Sequence, residues 1–159
     1  MDLQTLNFWN FSLKVYGRPG VAPACIALQD GLGLDVNLLL YCCWHGRAGR
    51  RLEATDLKRA IAAVAAWQRE VVQPLRAVRR RLKAGVPPIA AAESEALRRK
   101  VNDLEIEGER IAQAALEALP APAAGRRSAV DANLALYLTL MGRDPARAPE
   151  LAALSEACV

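Results

Sequence analysis

Two apolar seams separated by one turn constrain this chain more than any other feature of its sequence. Leu57, Ile61, Val64, Gln68, Val71, Leu75, Val78 and Leu82 follow a four–three spacing, and Leu97, Val101, Leu104, Gly108, Ile111 and Ala115 repeat it. That spacing lays side chains along one side of a helix, and such a seam must be covered by another helix. Gly85-Val86-Pro87-Pro88 stands between the two runs and supplies the turn. A long antiparallel helical hairpin is therefore predicted over about residues 55–118. Thr55 or Asp56 caps its start, and Pro74, which lacks a backbone donor, kinks its first arm. The register pairs Val78 with Leu97, Leu75 with Val101, Val71 with Leu104, Val64 with Ile111 and Ile61 with Ala115. It also sets Gln68 opposite Gly108, the two seam positions that are not apolar, so that the glycine leaves room for the amide or for Trp67.

Shorter helices flank the hairpin. Leu6, Trp9, Leu13 and Tyr16 recur at helical spacing and predict a first helix over residues 3–16, ended by Gly17-Arg18-Pro19-Gly20. A second spans about 21–30, with Pro23 tolerated in its first turn, and Gly31-Leu32-Gly33 breaks the chain. Asp35 is a good N-cap for a third helix that runs to His45 or Gly46. Beyond Pro120-Ala121-Pro122, Ser128 caps a helix through Met141, and Asp144-Pro145 starts a last one. The expected fold is all-α: one helical bundle over residues 1–159, with motif-bearing helices at 1–50, the hairpin at 55–118 and C-terminal helices at 128–158.

Composition narrows the functional classes. At 159 residues, 53% hydrophobic and 24% charged, the chain can bury a core and is neither disordered nor membrane-spanning by composition. Its longest apolar stretch, Leu38 to Trp44, is far shorter than the roughly 20 residues of a membrane span. The N-terminus Met1-Asp2-Leu3-Gln4 has no signal-peptide pattern. Cys25, Cys42, Cys43 and Cys158 lack the spacing of a disulfide framework, so reduced thiols in the cytoplasm are expected. A net charge of +4 implies nucleic acid only if the basic residues cluster.

The densest mixture of polar and aromatic groups lies between Cys25 and Arg47. Asn37, Tyr41 and Trp44 share a helix face, Gln29 and Asp30 can reach it, and Val36, Leu39, Leu40 and Cys43 form the core-facing stripe. Gln29, Asp30, Asp35, Asn37, Tyr41, Trp44 and His45 are accordingly the candidate ligand-binding set. The bland reading makes Asp35 a cap, Gln29 and Asn37 turn-satisfying amides, and Tyr41 and Trp44 core. Asp30 and Asp35 could hold magnesium, but Gly31 and Gly33 intervene between them. Cys42 and His45 have the spacing for zinc, with Cys25 and Cys158 needed to complete it, yet no Cys-x-x-Cys supports that reading, and His45 suits a helix C-terminus. No metal, cofactor or catalytic residue is assigned.

Arg76, Arg79, Arg80, Arg81, Lys83, Arg98, Arg99 and Lys100 converge on the hairpin tip and form a candidate basic surface. No aromatic residues are interleaved with them, so sequence-specific nucleic-acid readout is not expected.

One further feature is a set of motifs: Phe8-Trp9-x-Phe11-Ser12-Leu13-x-Val15-Tyr16, Pro19-Gly20-Val21, Ala24-Cys25-x-x-Leu28-Gln29-Asp30 and Asp35-Val36-Asn37-Leu38-Leu39-Leu40-x-Cys42-x-Trp44. In these the chain resembles a proteobacterial family known as domain of unknown function 2390. The resemblance covers the N-terminal third and implies a bacterial cytoplasmic protein, with no reaction attached. The expected function is non-catalytic binding of a protein partner or small ligand. The alternatives are an enzyme or ligand-binding protein using Asp30, Asp35 and Tyr41 around a metal or phosphorylated ligand, and nonspecific nucleic-acid binding by the basic tip.

Overall fold

Asn7 decides where the first α-helix begins. Its side chain accepts a hydrogen bond from the Asn10 amide at 2.9 Å, capping α1 (Phe8–Tyr16). A computed structural model of the chain describes residues 3–158, and in it the expected helix over 3–16 is a 3-10 turn, Leu3–Thr5, followed by α1. The buried face of α1 is Phe8, Phe11 and Val15, whereas Leu13 and Tyr16 point to solvent. Apolar residues lie on both sides of this helix, so periodicity could not choose the inner one. Packing against the rest of the core does.

The second helix, α2 (Val21–Leu32), continues through Gly31, and Gly33 ends it in the left-handed conformation at φ 68°. Asp35 caps α3 (Val36–Arg47) as expected, accepting from the Asn37 amide at 2.8 Å. Every residue from Asn37 to Cys43 is buried, because α3 is the central helix, touched by α1, α2 and two later helices. α3 meets a later helix tightly at Gly46: a Cβ there would lie 2.5 Å from the backbone of Val130, the first residue of α7 (Val130–Leu140). Only glycine fits.

The hairpin forms, with corrections to both arms. Its first helix, α4 (Ala54–Trp67), starts at Glu53; Asp56 is its third residue and reaches back to accept from the Glu53 amide at 2.9 Å. Neither Thr55 nor Asp56 is the cap. The arm then passes through one π-helical segment, Gln68–Val72, into α5 (Gln73–Lys83), with the Gln73 amide donating to the Gln68 carbonyl. Pro74 cannot donate to the helix behind it, and the π-turn immediately before it absorbs the defect. One extra residue in the turn rotates everything beyond it by about 100°. The seam of Leu57 and Val64 therefore passes to Val72, while Leu75 is only half-buried and Val78 is exposed.

The return helix, α6 (Ala91–Glu117), buries Ser94, Val101, Glu105, Gly108, Ala112, Gln113 and Leu116. Val101 and Gly108 match the expected seam; Leu97, Leu104 and Ile111 instead face outward, Leu104 by 58%. Two hydrogen bonds fix the pairing of the arms: Ser94 Oγ donates to the Leu82 carbonyl at 3.1 Å, and Trp67 Nε1 to the Gly108 carbonyl at 2.9 Å. The space left by Gly108 faces Val72, not Gln68.

The N-cap of α7 is Ala129 and not the expected Ser128, whose Oγ, one residue earlier, accepts from the Val130 amide at 3.4 Å. Asp144 caps only a 3-10 turn, Pro145–Arg147, and the final helix α8 (Leu151–Ala157) begins later. No helix among the described residues is long and apolar enough to cross a membrane.

Candidate functional site

The helix face of Asn37, Tyr41, Trp44 and His45 turns into the protein. Tyr41 is enclosed by Phe8, whose ring centroid lies 5.8 Å away, and by the edge-on ring of His45 at 4.4 Å. Trp44 stacks on Phe8 at 5.2 Å and donates to the Leu6 carbonyl at 3.1 Å. Burial, helped by the Arg50 charge, pushes the His45 pKa down to about 4, so the ring is neutral and exerts no attraction on the helix C-terminus. These side chains are core because α1 packs on their face. The trio Asp30, Asp35 and Tyr41 is not assembled. Nor are the cysteines gathered with His45: Cys43 is hydrogen-bonded to Cys158, and the described residues contain no group of three or more His, Cys, Asp or Glu able to hold a metal.

The remaining candidates do meet. A pocket of about 500 Å³ opens between the α2–α3 junction, α4 with its π-turn, α5 and α7. Gln29, Asp30 and Asp35 line it from one side; Gln68, Gln73, Arg76 and Arg80 line it from the hairpin; Tyr137 and Met141 close it from α7. Leu34, Leu38, Ile61 and Val64 form its apolar floor. Two residue groups that were separate in the sequence reading, the Gln29–Asp35 segment and the basic arm of the hairpin, are thus walls of one cavity.

A buried polar network holds the hairpin wall in place. Arg76 Nε donates to Glu105 at 3.0 Å and its Nη2 to Glu109 at 2.7 Å, while Arg79 grips the second oxygen of Glu105. Glu109 also accepts from Gln68 at 3.2 Å and from Asn37, whose own carbonyl oxygen accepts from Gln113 at 2.9 Å. α3, the π-turn, α5 and α6 are joined by this chain of charge-assisted bonds. The π-turn is what aims Gln68 at Glu109 and Arg76 into the pocket wall.

The carboxyls of this region are held differently. Burial pushes Glu105 up, but the hydrogen bonds from Arg79 and Arg76 outweigh it and keep the group below its ordinary range. Glu109 rises, because burial exceeds the help it receives from Gln68, Arg76 and Asn37. Asp35 is raised to about 7, first by burial and then by the Glu109 charge, against the opposing Asn37 amide and Arg76. Asp35 also accepts nothing from Tyr137; the tyrosine hydroxyl receives the Asp35 backbone N–H at 3.0 Å. Asp30, at the rim, lies below its ordinary value because Arg80 is hydrogen-bonded to it at 3.1 Å.

The expected basic surface at the tip is largely spent internally. Arg76 and Arg79 point into the network, Arg80 pairs with Asp30, Arg81 donates to the Gly85 carbonyl at 2.6 Å and Arg98 pairs with Glu95 at 2.7 Å. Lys83, Arg99 and Lys100 carry no ion pair among the described residues. Glu105, Glu109, Gln113 and Tyr137 were not among the sequence candidates. The available signal was the pair Glu105 and Glu109, one helical turn apart and flanking Gly108, on the same arm as Gln113.

A model of proteins of unknown function, DUF2390, matches residues 7–116, which span α1 to α6. The chain belongs to that family. The matched region contains the whole polar network and every wall of the pocket except Tyr137 and Met141. Neither curated proteins nor solved structures give a match to the chain.

Proposed function

We propose that this DUF2390 protein is a non-catalytic binding protein whose ligand is a small molecule with an apolar body and a cationic or hydrogen-bond-donating head. One observation carries the reading: Asp35 lines the pocket as a carboxyl with no cation bonded to it among the described residues, above a floor of Leu34, Leu38, Ile61 and Val64. The other lining acid, Asp30, already has Arg80. A ligand amine placed at Asp35 supplies the missing charge partner, and the floor supplies the apolar contact that binding sites of this size use. All four thiols are free and buried, which supports a reducing compartment and hence the cytoplasm.

Protein-observed NMR with cyclohexylamine and benzamidine tests this. Shifts should map to Leu38, Val64 and Met141, and Ala65→Trp, which fills the pocket from an exposed α4 position, should abolish them. Equal shifts with cyclohexanecarboxylate and benzoate, or shifts that survive Ala65→Trp, would overturn the reading.

A protein partner is the second reading, favoured by the outward line of Leu97, Leu104 and Ile111 on α6. Their seven-residue spacing is a two-helix seam, and an antiparallel pairing centred on Leu104 places Leu97 over Ile111 and Lys100 beside Glu107 of a second copy. A monomer at all concentrations in sedimentation equilibrium would exclude that partner.

A further inference from the structure

The tetrapeptide Ala-Gly-Arg-Arg occurs twice, at Ala48-Gly49-Arg50-Arg51 and at Ala124-Gly125-Arg126-Arg127, and the fold brings the two copies together. The Gly125 amide donates to the Gly49 carbonyl at 2.8 Å. Approach this close requires glycine at position 49, which has φ 71° and where a Cβ would lie 2.2 Å from the Gly125 carbonyl oxygen; a Cβ on Gly125 would lie a tight 3.0 Å from the Gly49 oxygen. The turn after α3 and the loop before α7 thus form a clasp with a glycine waist. Two grooves of about 480 Å³ each lie against that waist and share Gly49, Gly125, Arg126, Arg127 and Ser128. Arg47 and Arg50 extend one groove and Arg51 the other, and no carboxylate lines either.

Four arginines gathered on two short turns, Arg50, Arg51, Arg126 and Arg127, repel one another unless an anion compensates them. Several arginines elsewhere in the molecule sit beside glutamates or aspartates, as Arg76, Arg79, Arg80, Arg98 and Arg110 do. Arg50, Arg51, Arg126 and Arg127 have no ion-pair partner among the described residues, and Arg50 Nε is buried with no hydrogen-bond acceptor. An oxyanion seated in the groove that Arg50 lines offers its guanidinium an acceptor. Guanidinium forks match phosphate oxygens bidentately, and the Ser128 hydroxyl adds a further donor. The grooves contain no aromatic ring on which a base could stack.

We propose that the paired Ala-Gly-Arg-Arg turns form a binding site for a run of adjacent phosphate groups, read through its oxyanions and not through a base. The site shares no lining residue with the Asp35 pocket, so either can fail without the other. Its second half, Arg126 and Arg127, lies beyond the residues matched by the family model.

Titration of the full chain with tripolyphosphate, followed by NMR, tests the proposal. Shifts should centre on Gly49, Gly125 and Ser128, and affinity should fall steeply with added salt. Arg126→Gln/Arg127→Gln, both exposed, should weaken binding at least tenfold while the helical circular dichroism is unchanged. Arg99→Gln/Lys100→Gln removes the same charge at the hairpin tip and should leave binding within twofold. Equal loss in both double variants, or no loss in the first, would overturn the site. A dT oligomer that shifts the same amides and binds more tightly than tripolyphosphate identifies the source as a nucleic-acid backbone; an oligomer that leaves them unmoved identifies a free polyphosphate. Shifts from both anions that centre outside the clasp refute the proposal.

Discussion

Replacing Glu105 by leucine should be the most damaging conservative-volume change on α6. The side chain is only 7% exposed and its carboxylate holds both Arg76 and Arg79. In Glu105→Leu, Arg76 keeps Glu109 at 2.7 Å, but Arg79 loses its only carboxylate among the described residues. Removing one partner of a buried ion pair costs about 3–5 kcal/mol. Arg79 can still swing toward water, its side chain being 22% exposed, which favours the lower end, about 3 kcal/mol. For a domain of this size that is a Tm loss of about 6–12 °C. Urea unfolding followed by helical circular dichroism measures it directly. Arg79→Met/Glu105→Leu removes the stranded charge and should recover to within about 1 kcal/mol of the parent. A Glu105→Leu loss below about 1 kcal/mol, the range of a surface pair, would refute the reasoning. So would a double variant no more stable than the single one. The acid limb gives a second readout: a carboxyl held below its ordinary value adds stability above about 4.5 and loses it as pH falls through the folded value, so the gap between parent and Glu105→Gln should close in acid.

Asp35 and His45 should oppose each other in a pH titration of stability. Asp35, raised to about 7, contributes fully below 3.8 and loses that contribution as pH rises toward 7; His45, lowered to about 4, contributes fully above 6.5 and loses it as pH falls toward 4. Asp35→Asn keeps a good cap and should expose the His45 limb, a loss of about 3 kcal/mol between pH 6.5 and 4 by urea unfolding; a flat profile contradicts it. Gly46→Val forces a side chain into the Val130 backbone and should cost about 3 kcal/mol or more, measured as a Tm drop. Leu104→Gln should stay within about 0.5 kcal/mol of the parent, whereas Gly108→Leu crowds Val72 and should lose about 1–3 kcal/mol; the reverse ranking by denaturant midpoint would restore the seam read from spacing.

Local chemistry was enough to place most helices and several of their ends. Asp35 caps α3 because a short oxygen-bearing side chain satisfies free helix amides where it precedes an apolar run. Gly85 to Pro88 could only be a turn, and apolar runs on both sides of it could only be helices that fold back. Which face of each helix turns inward was a different matter. Leu97, Leu104 and Ile111 make as regular a line as Val101 and Gly108 do, and nothing within α6 ranks one above the other. The choice came from across the hairpin, where the π-turn before Pro74 rotates Arg76 and Arg79 toward α6 and draws Glu105 and Glu109 inward. Spacing rules count apolar residues and cannot see that a buried ion-pair network is the complement of two arginines some thirty positions away. The candidate site followed the same pattern. Gln29, Asp30 and Asp35 were legible as polar groups at a helix junction, but a pocket exists only where Arg76, Arg80 and Tyr137 close around them. The two Ala-Gly-Arg-Arg segments were plain in the chain as tetrapeptides; that they clasp each other depends on α7 crossing α3 at Gly46, a contact between residues far apart in sequence that only the packed bundle decides.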